Sequence, residues 1–175
     1  NKRHFILTRA GFAGIQRYSS VWTGDNLANE DHLRLACLMT QSLGLSGVPF
    51  AGSDVGGFMD YPSQRLYTRW MQLGAFTPFF RGHSAINCPD KEPWAFGEEV
   101  ERWVKDAISM RYKLMPLLYN EFYNASQTGL PVMKPMFLEF QNDENCYTWD
   151  AQFQFMIGEN LLVAPVVYEK DNIKK

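Results

Sequence analysis

Val21 to Asn26 reads V-W-T-G-D-N, and Gly47 to Phe58 reads G-V-P-F-A-G-S-D-V-G-G-F. Each begins as a short apolar run and breaks at glycine into a polar turn that carries a carboxylate, Asp25 in the first and Asp54 in the second. Two further stretches share this form. His4 to Thr8, H-F-I-L-T, leads into Arg9, and the strand-like run Thr77 to Arg81 leads into G-H-S with His83. Short apolar runs bounded by turn residues read as strands.

Helical patterns lie between them. From Asn29 to Leu43, the residues Leu33, Ala36, Cys37, Thr40 and Leu43 or Gly44 fall on one face. Asn29 or Asp31 suits the N-cap, and Gly44 and Gly47 read as the stop. Pro62 to Leu73 is a second helix that opens on Pro62 and Ser63. Gly97 to Ser126 is a long amphipathic stretch that Pro116 should kink or interrupt. After Pro131, Val132 to Phe137 and Leu161 to Val167 read as strands, with a short helix from Asp150 to Met156 between them.

Strand–helix alternation up to Ser126 argues for parallel β/α units. In a (β/α) barrel, the loops after the strands form the active-site face. Arg9, Asp25, Asp54, Arg81 and His83 all fall at such strand ends. A full barrel needs about 250 residues. The 175 residues here show about four strand-loop units. The fold class is therefore α/β: either a smaller open fold, or about the last four units of a (β/α)8 barrel running into the start of a C-terminal β-sandwich. The start at Asn1 and the lysine-rich end favour the second. The division is placed at residues 1–130 and 131–175.

Composition narrows the function. The chain is 46% hydrophobic and 15% aromatic, enough for a substantial core. A net charge of −2 without a basic stripe excludes nucleic acid as an expected partner. No apolar run approaches the roughly 18 residues of a membrane span. Cys37, Cys88 and Cys146 form neither a disulfide framework nor a zinc pattern, which fits a cytosolic or weakly oxidising setting. No targeting signal is present, and the compartment stays open between cytoplasmic and periplasmic or secreted. His4 and His32 lack partners at metal spacing, so neither a metal nor a cofactor is expected. Trp70, Trp94 and Trp103 read as packing residues, and Met110, Met115, Met133 and Met136 as core filler.

Asp25 lies beside the aromatic Trp22. Arg81 and His83, two apart in an extended segment, point to one face. A carboxylic acid, an aromatic wall, a guanidinium and an imidazole suit the gripping of a sugar and the protonation of its leaving oxygen. On local sequence alone, Asp25 is a turn or cap residue and Asp54 a turn aspartate or an acceptor. Arg81 and His83 are equally an ion-pair partner and a core histidine.

These residues resemble glycoside hydrolase family 31, the retaining α-glucosidase and α-xylosidase family. The matching stretches are L-T-R-A-G-F-A-G at Leu7–Gly14, R-Y-S-S-V-W-T-G-D-N at Arg17–Asn26, G-V-P-F-A-G-S-D-V-G-G-F at Gly47–Phe58, R-W-M-Q-L-G-A-F-T-P-F-F-R-G-H-S at Arg69–Ser84, and E-P-W at Glu92–Trp94. The resemblance implies a catalytic (β/α)8 barrel and cleavage of α-linked sugars from non-reducing ends by double displacement. It implies that Asp25 is the general acid/base, and that Arg9, Asp54, Arg81 and His83 line the −1 sugar subsite with Trp22 and Phe58 as its walls. The family's nucleophile lies in a W-x-D-M-N-like motif, which is absent here. Trp149-Asp150 comes too late and lacks Met-Asn, so the nucleophile is expected upstream, in a missing N-terminal part of the parent chain. The 175-residue piece is then expected to be inactive alone.

The expected substrate is an oligosaccharide with terminal α-linked glucose, since F-F-R-G-H-S and R-W-M-Q-L-G-A-F look more like the glucosidase branch. The alternatives are an α-xylosidase or another α-glycosidase of the family, a non-catalytic carbohydrate-binding module, and an unrelated small α/β protein.

Overall fold

The computed structural model describes residues 4–169. Four parallel strand positions stand side by side in chain order. β1 (Leu7–Thr8) pairs with β2 (Ser20–Trp22), and β2 with β3 (Ala51–Gly52). β4 (Asp54–Val55) follows β3 after Ser53 alone and pairs with β5 (Arg81–Gly82). One extended segment thus serves two neighbours, the first half bonding backward and the second half forward. The apolar run that opens Gly47–Phe58 pairs only from Ala51, and the expected run Thr77–Arg81 only at Arg81, and the ladders extend beyond both to Gly52 and Gly82.

Helices follow the second, third and fourth strand positions, as the alternation requires. α1 (Glu30–Leu45) starts where the Asn29 side chain accepts a hydrogen bond from the His32 amide at 2.9 Å. Glu30 and Asp31 in its first turn complement the positive end of the helix dipole. Leu33, Ala36, Cys37 and Thr40 are buried, the face expected from the spacing. Burial pushes the Cys37 thiol up to about 12. Gly44 does not stop the helix. It is a contact point, because a Cβ there would lie 2.8 Å from Pro131 Cβ. The chain turns instead through Gly47, at φ 84°.

α2 (Gln64–Gly74) is capped by Ser63, whose hydroxyl accepts from the Leu66 amide at 3.1 Å. It buries Leu66, Tyr67, Trp70, Met71 and Leu73. Arg69 on α2 forms a forked ion pair with Glu30 of α1.

α3 (Glu98–Thr128) runs unbroken through Pro116, contrary to expectation. Proline frees the Tyr112 carbonyl from its helical partner. Tyr112, Met115 and Pro116 are all exposed, so this side of the helix is open to solvent. Buried anchors on both sides, Val100 and Val104 before it and Leu118 and Ala125 after it, hold the helix together.

Past Pro131 the topology becomes antiparallel. β6 (Met133–Pro135), β7 (Phe155–Ile157) and β8 (Leu161–Val163) form a meander with Met133 opposite Ile157 and Phe155 opposite Val163. The stretch expected as one strand to Phe137 ends at Pro135, and the short helix α4 (Met136–Glu139) follows. The expected helix from Asp150 to Met156 is a 3-10 turn at Ala151–Phe153, after which Met156 lies inside β7. Phe153, Phe155 and Ile157 are buried with Leu33, Trp70 and Leu118 in one continuous core, and that burial favours the extended form for the last residues. Trp70 is buried as expected. Trp94 and Trp103 are instead 67% and 39% exposed, and Met110 and Met115 also face outward.

Two contacts fix where β5 emerges. Arg111 of α3 donates to the carbonyls of Ala75 (3.3 Å), Pro78 (2.9 Å) and Thr77, tying the end of α2 to the run into β5. Burial lowers its pKa to about 10. Gly52 in β3 lies against the next strand, since a Cβ there would meet the Phe79 carbonyl oxygen at 2.2 Å. That neighbour is backbone and cannot swing away. Gly52→Ala is therefore expected to destabilise the full-length protein by about 1–3 kcal/mol through overpacking. Thermal unfolding of both proteins measures this; an unchanged midpoint rules out the tight approach.

Candidate active site

The parallel register brings the sequence candidates together. Asp54 and Arg81 are Cα partners across β4 and β5, 27 residues apart in the chain. They lie within the strands rather than in the loops after them, a correction to the sequence reading. Directly opposed residues on neighbouring strands share a face, so the pairing sets the ion pair. Arg81 Nη2 donates to Asp54 Oδ1 at 2.5 Å. Asp54 is 0% exposed, and the Arg81 side chain 27%. Burial raises the Asp54 pKa from its ordinary value of 3.8, and the Arg81 hydrogen bond and charge oppose that rise. His83 also lowers it, while the Asp25 charge adds to it. Both charges therefore bear on the same carboxylate.

The Arg81 guanidinium sits 5.2 Å from the centre of the Trp22 ring and 5.6 Å from that of Phe79. Weak hydration of guanidinium favours such stacking. Beyond Gly82, His83 packs on Phe58, with ring centres 5.2 Å apart. Phe58 and His83 thus form one aromatic edge, and Trp22 with Arg81 another.

Asp25 follows β2 on a turn that Gly24 makes at φ 85°. Its side chain is 38% exposed, and Arg9 Nη2 comes to 3.7 Å of its Oδ2. A Cβ on Gly24 would lie 3.3 Å from Arg9 Nε, so glycine also leaves room for the guanidinium. The loop that carries Asp25 is braced by Asn26. Its Nδ2 donates to the Asp54 carbonyl at 2.9 Å, and its Oδ1 accepts from the Phe58 amide at 2.8 Å. Asn26 thereby ties the Asp25 turn to the D-V-G-G-F turn. The sequence reading quoted it only as the last letter of a motif and assigned it no role; its amide, which donates and accepts at once, was the available signal.

All seven candidates, Arg9, Trp22, Asp25, Asp54, Phe58, Arg81 and His83, therefore lie at or just beyond the C-terminal ends of adjacent parallel strands. Three buried polar atoms among them have no partner: Trp22 Nε1, Asp54 Oδ2 and Arg81 Nε. Buried polar atoms are ordinarily paired. Three orphans around one ion pair mark a place where polar groups from elsewhere belong. A cavity of about 780 Å³ lies between α3 and the antiparallel sheet, and none of the seven lines it. Among the described residues, no group of His, Cys, Asp and Glu is arranged to hold a metal ion.

Comparison with known proteins accounts for the arrangement. Residues 1–121 match the glycosyl hydrolases family 31 TIM-barrel domain, and residues 129–175 match the glycosyl hydrolase family 31 C-terminal domain. "Alpha-glucosidase 2" of Bacillus thermoamyloliquefaciens is 53% identical over 95% of this chain and 21% of its own length. A chain in the crystal structure of the ER glucosidase II heterodimeric complex, which consists of the catalytic subunit and the binding domain of the regulatory subunit, superimposes with a TM-score of 0.90 at 43% identity, covering 96% of this chain and 18% of that one. A family 31 α-xylosidase from a soil metagenome, complexed with xylose, superimposes with a TM-score of 0.87 at 30% identity, covering 95% of this chain and 28% of that one. The chain thus spans about a fifth of the length of the curated relatives it matches.

Proposed function

Because the chain belongs to glycosyl hydrolase family 31, with part of its TIM barrel followed by the C-terminal domain, we propose that it supplies the acid/base half of the active site of a retaining α-glucosidase. The observation that carries this reading is the Asp25–Arg9 and Asp54–Arg81 pairing between the Trp22 and Phe58–His83 walls, with three buried polar atoms left open beside it.

In the proposed chemistry, Asp25 protonates the leaving oxygen and later takes the proton from water. Its partial exposure and its place on a loop let it reach a bond outside the subsite. Arg81, the partly exposed member of its ion pair, donates to sugar hydroxyls while the buried Asp54 orients it, and His83 and Phe58 close the far side. Retaining hydrolysis needs a second carboxylate about 5–5.5 Å from the first. Among the described residues the Asp25 charge acts on Asp54, and that carboxylate is committed to Arg81. We therefore place the nucleophile outside this chain, in the rest of the barrel. The domain division is proposed at residues 1–130 and 131–175.

The test is hydrolysis of p-nitrophenyl α-glucoside, α-xyloside and α-galactoside by the full-length enzyme and by the 175-residue chain. The α-glucoside is expected to be preferred and the short chain to be inactive. The xylose-bound neighbour keeps an α-xylosidase as the second reading, and preference for the α-xyloside would establish it. Turnover proportional to the amount of short chain would remove the need for an outside nucleophile.

A further inference from the structure

The loop between His83 and Trp94 is strapped to the D-V-G-G-F turn at several points. The Ala85 amide donates to the Phe58 carbonyl at 2.9 Å, and Cys88 Sγ reaches the same oxygen at 3.5 Å. Lys91 Nζ donates to the Gly57 carbonyl at 2.7 Å. The Lys91 carbonyl in turn accepts from the Tyr67 hydroxyl of α2 at 2.8 Å. Lys91 is thus anchored at its backbone and spends its charge on one peptide oxygen. Partial burial lowers its pKa, and the neighbouring Cys88, then the Asp60 and Asp54 charges, work against that.

The turn it grips has little freedom elsewhere. Gly56 and Gly57 both sit at φ 87°. A Cβ on Gly57 would meet the Ala28 amide nitrogen at 2.5 Å, so the turn already rests on the segment before α1. Asn26 holds the Phe58 amide from the other side. The Gly57 carbonyl faces the strap, and the Lys91 ammonium is the charged donor bonded to that oxygen.

We infer that Lys91 is a positioning residue: its ammonium locks the Gly56–Gly57–Phe58 turn so that the Phe58 ring and the His83 imidazole keep the tilted ring-on-ring contact that closes the sugar subsite. This rests on the subsite proposed above. Lys91 does not touch the sugar; it acts through the Phe58 wall. Lysine suits the task because a compact ammonium on a flexible stem meets a single carbonyl as a point charge.

The full-length enzyme tests it, with p-nitrophenyl α-glucoside as substrate and free glucose as the competing product. Lys91→Met is expected to weaken glucose inhibition and to lower kcat/KM by about ten-fold, the order of a lost charged hydrogen bond. Lys91→Arg restores a cation and is expected to recover most of that loss, with thermal midpoints close to the parent's in both variants. A Lys91→Met enzyme with unchanged glucose inhibition and kcat/KM overturns the inference, and so does a Lys91→Arg enzyme no better than Lys91→Met. If Lys91→Met fails to fold, Tyr67→Phe decides through the same glucose readout, because it loosens the Lys91 backbone and leaves the charge. Weakened inhibition supports the inference, and unchanged inhibition overturns it. A parent without α-glucoside turnover removes the underlying subsite, whereas an active parent with a neutral Lys91→Met removes only the role of Lys91.

Discussion

Asp25→Asn in the full-length enzyme is expected to lower turnover of an α-glucoside with a poor leaving group by about 10²–10⁴-fold, the range of a positioned general acid. Asparagine keeps the size of the side chain and cannot donate the carboxyl proton. Asp25 is the partly exposed member of the set, and its Arg9 contact is 3.7 Å long and mostly in solvent. Such a pair adds little to stability, so the variant should fold like the parent. The loss should shrink for an activated aryl glucoside, whose leaving group needs no proton. Release of the sugar then becomes limiting, because no base activates water. Azide needs no base, so it should speed this step and yield α-glucosyl azide, with the configuration of the substrate retained. Product analysis and rate measurement with and without azide check this. Equal activity of variant and parent would return Asp25 to the role of a turn residue.

Arg81→Met carries the second large effect, on stability. It leaves Asp54 fully buried with both carboxylate oxygens unpaired. Removing one partner of a buried pair costs about 3–5 kcal/mol. Arg81 itself is 27% exposed, so the opposite change, Asp54→Asn, should cost less, because water reaches the stranded guanidinium. Replacing both residues should recover part of the loss, and a double-mutant cycle measures how much belongs to the pair.

The pH dependence follows from the direction of the shift. Burial already raises the Asp54 pKa, and the Arg81 hydrogen bond is the largest influence restraining it. Without Arg81 it rises further. Between the ordinary value of 3.8 and the raised folded value, the native state binds the Asp54 proton more tightly than the unfolded chain does. Stability must then fall as pH rises through that window. Arg81→Met should therefore lie closest to the parent in acid and fall behind toward neutral pH. Thermal midpoints of both proteins across that range test it; a gap that does not change with pH would mean that Asp54 is not the group left uncompensated.

The order of elements was legible in local patterns. Asn29 or Asp31, and Ser63, marked the starts of α1 and α2, because a cap satisfies helix amides within three residues of itself, and the structure chose Asn29. The spacing of Leu33, Ala36, Cys37 and Thr40 marked the buried face. Where the reading failed, a tertiary contact outweighed the local signal. Gly44 stays helical against Pro131, Pro116 is carried by buried anchors on both sides, and the last residues of the Asp150–Met156 stretch become a strand because β6 and β8 flank them. The aromatic character of Trp94 and Trp103 pointed to packing, yet both keep a large exposed surface.

The amino-acid sequence by itself determined which residue types stand where each apolar run gives way to a polar turn. That was enough to nominate Arg9, Trp22, Asp25, Asp54, Phe58, Arg81 and His83, because periodicity and glycine breaks are encoded over a few residues. Only the tertiary structure decided how they combine. Asp54 meets Arg81 because α2 returns the chain in a register that makes them Cα partners. Asn26 joins two turns 28 and 32 residues away, Arg111 reaches back over more than 30 residues to hold the approach to β5, and Lys91 closes on Gly57 across 34. Contacts at such separations depend on packed helices and strand register, and no short stretch of sequence carries that information.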